Sequence, residues 1–348
     1  MGRDSSYEKD PSPGDWVRLF SMARHQTLIG VLNDGVHRLP ESQLPPQQML
    51  EEWDHLTGKI ASIYARHERR VAALEDIFER KGLRGCVLKG TGLAQLYPTP
   101  ERRQCGDIDV WVPGPRRAIL EAFSDDYDVH DVVYQECKVD IFKDTDVEVH
   151  FHPAKMFNPV LNARLQRWLK KNSPLREGAH SIPVSDKGVL CYPDTEFNAV
   201  YCMAHMFRHY IVGGLGMRQM MDYNYVLKAL PAARRGPVMQ TLKRLGLGRF
   251  AAACMLSLQY NFGLEDEYLL CRPDRKRGAI LINDSFKTGN FGVLDSRNRA
   301  SKDESAFGRF RRKNRRTLSY LRLYPREIAW APLARISQYL WRRLQGFI

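Results

Sequence analysis

The sequence lacks long hydrophobic runs. No uncharged apolar stretch approaches the roughly 20 residues that a membrane-spanning helix requires, so the sequence predicts no transmembrane segment. The N-terminus, MGRDSSYEKDPSPGDW, carries acids and prolines where a secretory signal would have an apolar core. It also lacks the arginine-rich, acid-poor bias of a transit peptide. These absences favour a cytoplasmic protein.

Paired cysteine motifs are also missing. The 7 cysteines are odd in number and scattered, and no two of them form a C-x-x-C pair. This pattern is typical of reduced thiols in a cytosol rather than of a disulfide framework or a zinc ribbon. We therefore expect no metal site built from cysteine.

Negative charge is scarce at one end of the chain. The net charge is +13, and residues 272–348 hold 19 basic and 6 acidic residues, whereas residues 1–271 hold 34 of each. A basic tail on a neutral body predicts a contact with a polyanion, either nucleic acid or an anionic membrane surface. The arginines expected to bind phosphate lie in the predicted helix 307–323 and are Arg311, Arg312, Arg315 and Arg316.

The hydrophobic pattern predicts an α+β protein with a small mixed β-sheet between helical segments. Apolar residues spaced three and four apart predict helices over residues 16–32 and 46–81. Short β-branched runs predict strands at 86–88 and 108–112, and strict alternation predicts a hairpin over 138–151. After Pro153 the pattern predicts only helices, among them one long helix over 236–262.

Four segments follow from this pattern and from the length of 348 residues. We predict an N-terminal helical segment (1–82), a catalytic core (83–153), a helical domain (154–271) and a basic C-terminal helical extension (272–348). Phe262 and Phe291 are expected to belong to the hydrophobic core.

Carboxylates converge on the second predicted strand. Asp107 and Asp109 point to the same face because side chains alternate along a strand, and two adjacent carboxylates repel unless a hard divalent cation lies between them. Glu148, on the predicted hairpin, could supply a third carboxylate, and Asp140 on the paired strand has the same periodicity and remains the alternative. The pattern predicts a cation site for Mg2+, with Mn2+ as the alternative.

A glycine turn precedes these carboxylates. Gly90-Thr91-Gly92 lies between a predicted strand and a short helix, where backbone N–H groups can approach a phosphate, and Lys89 adds a positive charge. A phosphate site facing a carboxylate cluster is what metal-assisted nucleotidyl transfer requires.

Further polar residues are candidates for lining the substrate. His150 shares a face with the third carboxylate. His205 and His209 are four residues apart, which favours a packing or substrate-lining pair over a zinc pair because no third ligand is evident. Arg218 and Asp222 are also four apart, and form either a helix salt bridge or part of the site.

The order of these motifs resembles that of the minimal nucleotidyltransferase superfamily, which has a polymerase-beta-like fold. The segments LKGTGLAQLYPTPERRQCGDIDVWV, VEVHFHP and GLGMRQMMDY are similar to a bacterial family of uncharacterised nucleotidyltransferases over roughly residues 15–265. The resemblance implies nucleotide binding at Gly90 and Thr91 and metal ligation by Asp107 and Asp109. It also favours Glu148 over Asp140 as the third catalytic acid, and it makes Arg218 and Asp222 candidate contributions from the helical domain.

The expected activity is transfer of a nucleoside monophosphate from a magnesium-bound nucleoside triphosphate to an acceptor hydroxyl of unknown identity, with release of pyrophosphate. Asp107, Asp109 and Glu148 would be the catalytic and metal-binding residues. Lys89, Gly90 and Thr91 would bind the nucleotide. Two alternatives remain: a nucleotide-binding or antitoxin-like module with a nucleic-acid-binding tail, and an enzyme that adds nucleotides to RNA ends.

Overall fold

One mixed sheet of seven strands organises the protein. The computed structural model describes residues 6–298 and 304–347 and confirms the predicted α+β class, with helical segments at both ends of the chain. The strand order is β3-β4-β5-β2-β1-β7-β6. The strands are β1 (Gly85–Leu88), β2 (Ile108–Trp111), β3 (Val129–His130), β4 (Glu136–Phe142), β5 (Thr145–His150), β6 (Ser181–Pro183) and β7 (Leu190–Pro193).

The described residues form fourteen α-helices. They are α1 (Pro13–Gln26), α2 (Ile29–Val36), α3 (Gln47–Arg80), α4 (Gly90–Ala94), α5 (Arg116–Ser124), α6 (Pro159–Lys171), α7 (Thr195–Val212), α8 (Met217–Ala229), α9 (Ala232–Arg244), α10 (Gly248–Phe262), α11 (Arg275–Thr288), α12 (Ala306–Leu318), α13 (Pro325–Ile328) and α14 (Ala331–Leu344).

Side-chain alternation on β2 separates two cores. Val110 packs with apolar residues of α3 and α5 on one face of the sheet. Trp111 belongs to the larger core on the other face, which α6, α7, α8 and α10 also build. Because Asp109 lies one residue from Val110, its carboxylate is directed to the side of the larger helical layer. The Asp109 side chain thus lies on the face of the sheet that packs against the larger core.

Two predicted helices are each divided in the structure. The helix predicted over 16–32 breaks at Thr27, which has φ 53° and is the left-handed C-cap of α1. The helix predicted over 236–262 breaks at Gly246, which has φ +77°, and a Cβ there would lie 2.8 Å from a methyl group of Leu161. Periodicity alone does not reveal such breaks, because the apolar spacing continues across them.

Two strands appear where the sequence predicted only helices. β7 pairs in parallel with β1, placing Leu190 beside Gly85, and β6 extends the sheet by pairing antiparallel with β7. Both strands are short, at 4 and 3 residues, and too brief to show alternation. The sheet therefore extends beyond the segment predicted to contain it.

The basic C-terminal extension packs into the protein rather than standing apart from it. Tyr320, Tyr324, Ile328 and Ala331 are buried in the larger helical core. Arg316, predicted to bind phosphate, has no exposed side-chain surface and pairs with Asp284 and Asp295. Arg312 forms an ion pair with Glu304, so two of the four arginines assigned to a polyanion are engaged within the chain. Arg311 and Arg315 are exposed.

Within the part of the chain that the structure describes, no helix has the length and apolar character needed to span a membrane.

The buried pairing of Arg316 predicts a stability difference between adjacent arginines. Arg316→Gln should lower the free energy of unfolding by about 1.5–3 kcal/mol, because it removes the fully buried cation of the cluster and leaves Asp284 and Asp295 only the partly exposed Arg297. Arg315→Gln removes the same charge from an exposed position and should change it by less than about 0.5 kcal/mol. Chemical denaturation of both variants tests this, and equal effects would contradict the structural role of Arg316.

Candidate active site

The turn after β1 has an unusual backbone. Lys89 has φ 54° and Gly90 has φ +42°, so two successive residues adopt positive φ between β1 and α4. Lys89 is a non-glycine residue in a region that side chains disfavour. Gly92 follows, and a Cβ there would lie 2.5 Å from the ring of Tyr192. The turn therefore requires glycine at 92 for close packing and accommodates strain at Lys89.

Thr91 does not face the cavity that this turn borders. Its hydroxyl lies 3.2 Å from the Tyr192 hydroxyl, and the residue is buried. Lys89 and Gly90 do line the cavity, whose volume is about 430 Å³. Of the three residues predicted to bind nucleotide, Thr91 can thus contribute only its backbone.

The three predicted carboxylates lie together in this cavity. β2 and β5 run parallel, and their register places Asp109 beside Glu148. Asp107 precedes β2 and also lines the cavity. Asp140, the alternative third acid, is exposed on β4, and its carboxylate accepts a hydrogen bond from His130. The arrangement brings Glu148, rather than Asp140, to the two aspartates.

Asp109 is the most tightly held of these acids. Lys89 Nζ lies 2.9 Å from Asp109 Oδ2, and His150 Nε2 donates to Oδ1 at 2.8 Å. Burial acts to raise the pKa of Asp109, but the Lys89 ammonium and the His150 contact outweigh it and hold that pKa well below its usual range. His150 Nδ1 lies 3.2 Å from Glu136, outside hydrogen-bonding geometry.

The pKa values of Glu148 and Asp107 are shifted in the opposite direction to that of Asp109. Burial, followed by repulsion from Asp107 and Asp109, raises the pKa of Glu148 to about 7. Repulsion from Asp109, followed by burial, raises the pKa of Asp107. The site therefore concentrates negative charge beyond what Lys89 and His150 compensate.

This donor set fits a divalent metal ion. Among the described residues, ligand atoms of Asp109, Glu148 and His150 lie within 4.8 Å of one another. Carboxylate oxygens are ligands that Mg2+ and Mn2+ accept, and the uncompensated charge at Glu148 is what a cation would neutralise. Asp107 lines the same cavity but falls outside this three-residue group.

Two neutral histidines of α7 lie near Lys89. His209 Nε2 lies 2.8 Å from His205 Nε2, so one imidazole donates to the other, and Lys89 Nζ is 3.4 Å from His205. Burial, with the nearby Lys89 charge, lowers the pKa of both, that of His209 to about 3. Both histidines line the cavity.

Arg218 and Asp222 do not pair with each other. Arg103 donates to both oxygens of Asp222, at 2.7 and 2.9 Å, and the Tyr97 hydroxyl donates at 2.6 Å. Arg218 instead donates to the Gln104 carbonyl at 2.7 Å, and its guanidinium lies 5.7 Å from the ring centre of Phe291. Of the two alternatives for this pair, the helix salt bridge is wrong, because Arg103 pairs with the Asp222 carboxylate; Arg218 and Asp222 both line the cavity.

The sequence analysis did not identify several residues that line this cavity. Lys155, Arg208 and Glu136 line the cavity, and so does Phe291, which is 47% exposed rather than part of the core as predicted. One signal for Arg208 was available, because residues 205, 208 and 209 share a face of α7. Nothing in the sequence distinguishes Lys155.

Comparison with known proteins bears on this site. A family model described as "Uncharacterised nucleotidyltransferase" matches residues 12–263. That range includes β1, β2, β5, α7 and α8, and therefore the predicted site residues, and it ends before α11. No curated protein and no solved structure matches the chain.

Lys89 and His150 compensate the charge of Asp109 but not that of Glu148. Substitutions of these two carboxylates should therefore have opposite effects on stability. In a metal chelator, Glu148→Gln should raise the free energy of unfolding by about 1 kcal/mol, because it relieves repulsion from Asp107 and Asp109. Asp109→Asn should lower it by about 3–5 kcal/mol, because it leaves Lys89 without its buried partner.

The measurement is denaturant unfolding with chelator and again with Mg2+. Mg2+ should stabilise the wild-type protein more than it stabilises the Glu148→Gln variant. A ligand that binds only the folded state raises the unfolding midpoint, and the variant lacks one of the ligands. Destabilisation by Glu148→Gln in chelator would refute the charge distribution described above.

Proposed function

The chain belongs to the family of uncharacterised nucleotidyltransferases, and we propose that it transfers a nucleoside monophosphate from a metal-bound nucleoside triphosphate to an acceptor hydroxyl, releasing pyrophosphate. The observation that carries the proposal is the convergence in one cavity of Asp107, Asp109 and Glu148 with Lys89 and Arg218. Clustered acids suit a metal ion, and the cations beside them suit phosphate oxygens.

Asp109 and Glu148 would hold the metal, with Asp107 as a further carboxylate ligand. When bound, Mg2+, or alternatively Mn2+, neutralises phosphate charge and aligns the attacking and leaving oxygens. His150 is assigned to positioning: its Nε2 donates to Asp109 Oδ1 and fixes the orientation of that carboxylate.

The triphosphate would lie against the turn that follows β1. Lys89 supplies an ammonium group beside the carboxylates, and the Gly90 backbone borders the cavity without a side chain. Arg218 adds a guanidinium, and Phe291, beneath it, offers an exposed ring to the nucleoside.

Glu148 is the group best suited to accept the proton of the acceptor hydroxyl. In the metal-free protein, burial and its acidic neighbours raise its pKa to about 7, and its carboxylate lines the cavity in which the acceptor hydroxyl would meet the triphosphate. A neutral Glu148 cannot accept that proton, so deprotonation of this residue precedes its role as base.

The proposal predicts that substitution of Glu148 reduces turnover and that substitution of Asp140, the alternative third acid, does not. Glu148→Gln should reduce transfer by more than about tenfold, corresponding to about 1.4 kcal/mol or more of barrier, because the base is lost. Asp140→Asn, an exposed change of the same type on the adjacent strand, should leave transfer within about twofold of wild type.

The assay incubates the protein with each labelled triphosphate and Mg2+, with and without cell extract, and identifies what becomes labelled. A chelator should abolish the labelling. Equal activity of Glu148→Gln and Asp140→Asn would remove Glu148 from the mechanism, and triphosphate binding without labelling of any component would favour the nucleotide-binding module.

A further inference from the structure

A second cavity adjoins the candidate active site. Its volume is about 400 Å³, and Lys155 and Arg208 line both cavities. Its remaining walls are largely apolar and aromatic and include Tyr134, Phe157, Trp330 and Trp341, of which Tyr134 and Trp341 are in edge-to-face ring contact. Trp341 belongs to α14, which lies outside the segment that the family model matches. We call this second cavity the α14 groove.

The two cations at the junction have no acidic partner. In the described part of the chain neither Lys155 nor Arg208 forms an ion pair, and no acidic side chain lines the α14 groove. Arg208 lies 4.0 Å from the ring centre of Phe157, and its Nη1 is buried without a hydrogen-bond partner. Lys155 Nζ donates to the Gln338 side chain at 2.9 Å.

Two carboxylates lie near these cations without forming an ion pair with them. Glu327 accepts the backbone N–H groups of Phe157 and Asn158, and Glu136 accepts a hydrogen bond from the Gln135 side chain. Burial, together with the charge of Arg208, lowers the pKa of Lys155 to about 7, and burial lowers that of Arg208 to about 10. Half-buried cations that form no ion pair are stabilised when an anion joins them.

We propose that Lys155 and Arg208 bind an anionic group of the acceptor, a phosphate or a carboxylate, and that the α14 groove holds the aromatic or apolar body attached to it. This inference rests on the proposed function. The acceptor is then a small anionic molecule with an aromatic or apolar part. Its anion lies where the two cavities meet, so its hydroxyl can extend toward Glu148.

The geometry separates this anion site from the triphosphate site. Lys89, Gly90 and Arg218 line the active-site cavity but not the α14 groove, whereas Lys155 and Arg208 line both. The C-terminal extension thus supplies one wall of the acceptor site, which gives α14 a role that the charge of the tail did not suggest.

The test measures binding of phenyl phosphate to the full-length protein by phosphorus-31 line broadening. We expect Arg208→Gln to weaken binding by at least about tenfold, whereas Arg322→Gln, the same change at an exposed position in the tail, leaves it unchanged. Ser337 is an exposed residue lining the groove, so Ser337→Glu should weaken binding by repulsion and Ser337→Gln should not. This second pair keeps the test decisive if Arg208→Gln fails to fold.

Competition experiments identify the anion and separate this inference from the proposed function. Benzoate that displaces phenyl phosphate indicates a carboxylate site, and inorganic phosphate that does so indicates a phosphate site; both outcomes support the proposal. Equal binding to Ser337→Glu and Ser337→Gln, or displacement of phenyl phosphate by ATP with Mg2+, would overturn it. Absence of ATP binding while phenyl phosphate still binds would instead count against the proposed function.

Discussion

The buried ion pair between Lys89 and Asp109 is the interaction on which the rest of the site depends. It joins the turn after β1 to the centre of β2, with 2.9 Å between Nζ and Oδ2. Lys89 adopts φ 54°, a conformation that is unfavourable for a residue with a side chain and that persists only where its surroundings stabilise it. The pair supplies that stabilisation, and it also keeps one carboxylate ionised within a largely buried cavity.

Around this ion pair, the acidic and basic side chains of the cavity come from different secondary-structure elements. The sheet contributes the acids, on β2 and β5, while α7 and α8 contribute Arg208 and Arg218. Glu148 forms no ion pair with any described residue, and burial together with its acidic neighbours raises its pKa. A site built this way is less stable than it could be, which is the usual relation between stability and a functional constellation. The same excess of charge is what a metal ion and an anionic substrate together would balance.

The C-terminal extension shows why net charge is a weak guide to role. Its composition predicts a polyanion contact, yet Arg316 pairs with Asp284 and Asp295, and neighbouring aromatic residues complete the helical core. An arginine that is buried and paired contributes to folding rather than to a surface field. The extension also provides α14 and so borders a groove beside the active site. Exposed arginines such as Arg311 and Arg315 remain on its surface.

The sequence by itself determined the α+β class and the family, because hydrophobic periodicity and motif order are properties of neighbouring residues. Only the tertiary structure decided which residues meet across elements. The parallel pairing of β2 with β5 places Glu148 beside Asp109. Asp222 pairs with Arg103 rather than with Arg218. Lys155 and Arg208 lie where two cavities meet. These contacts join residues far apart in the chain, and no local pattern encodes a long-range pairing. Such pairings depend on the strand topology and on which of several polar groups forms the buried contact.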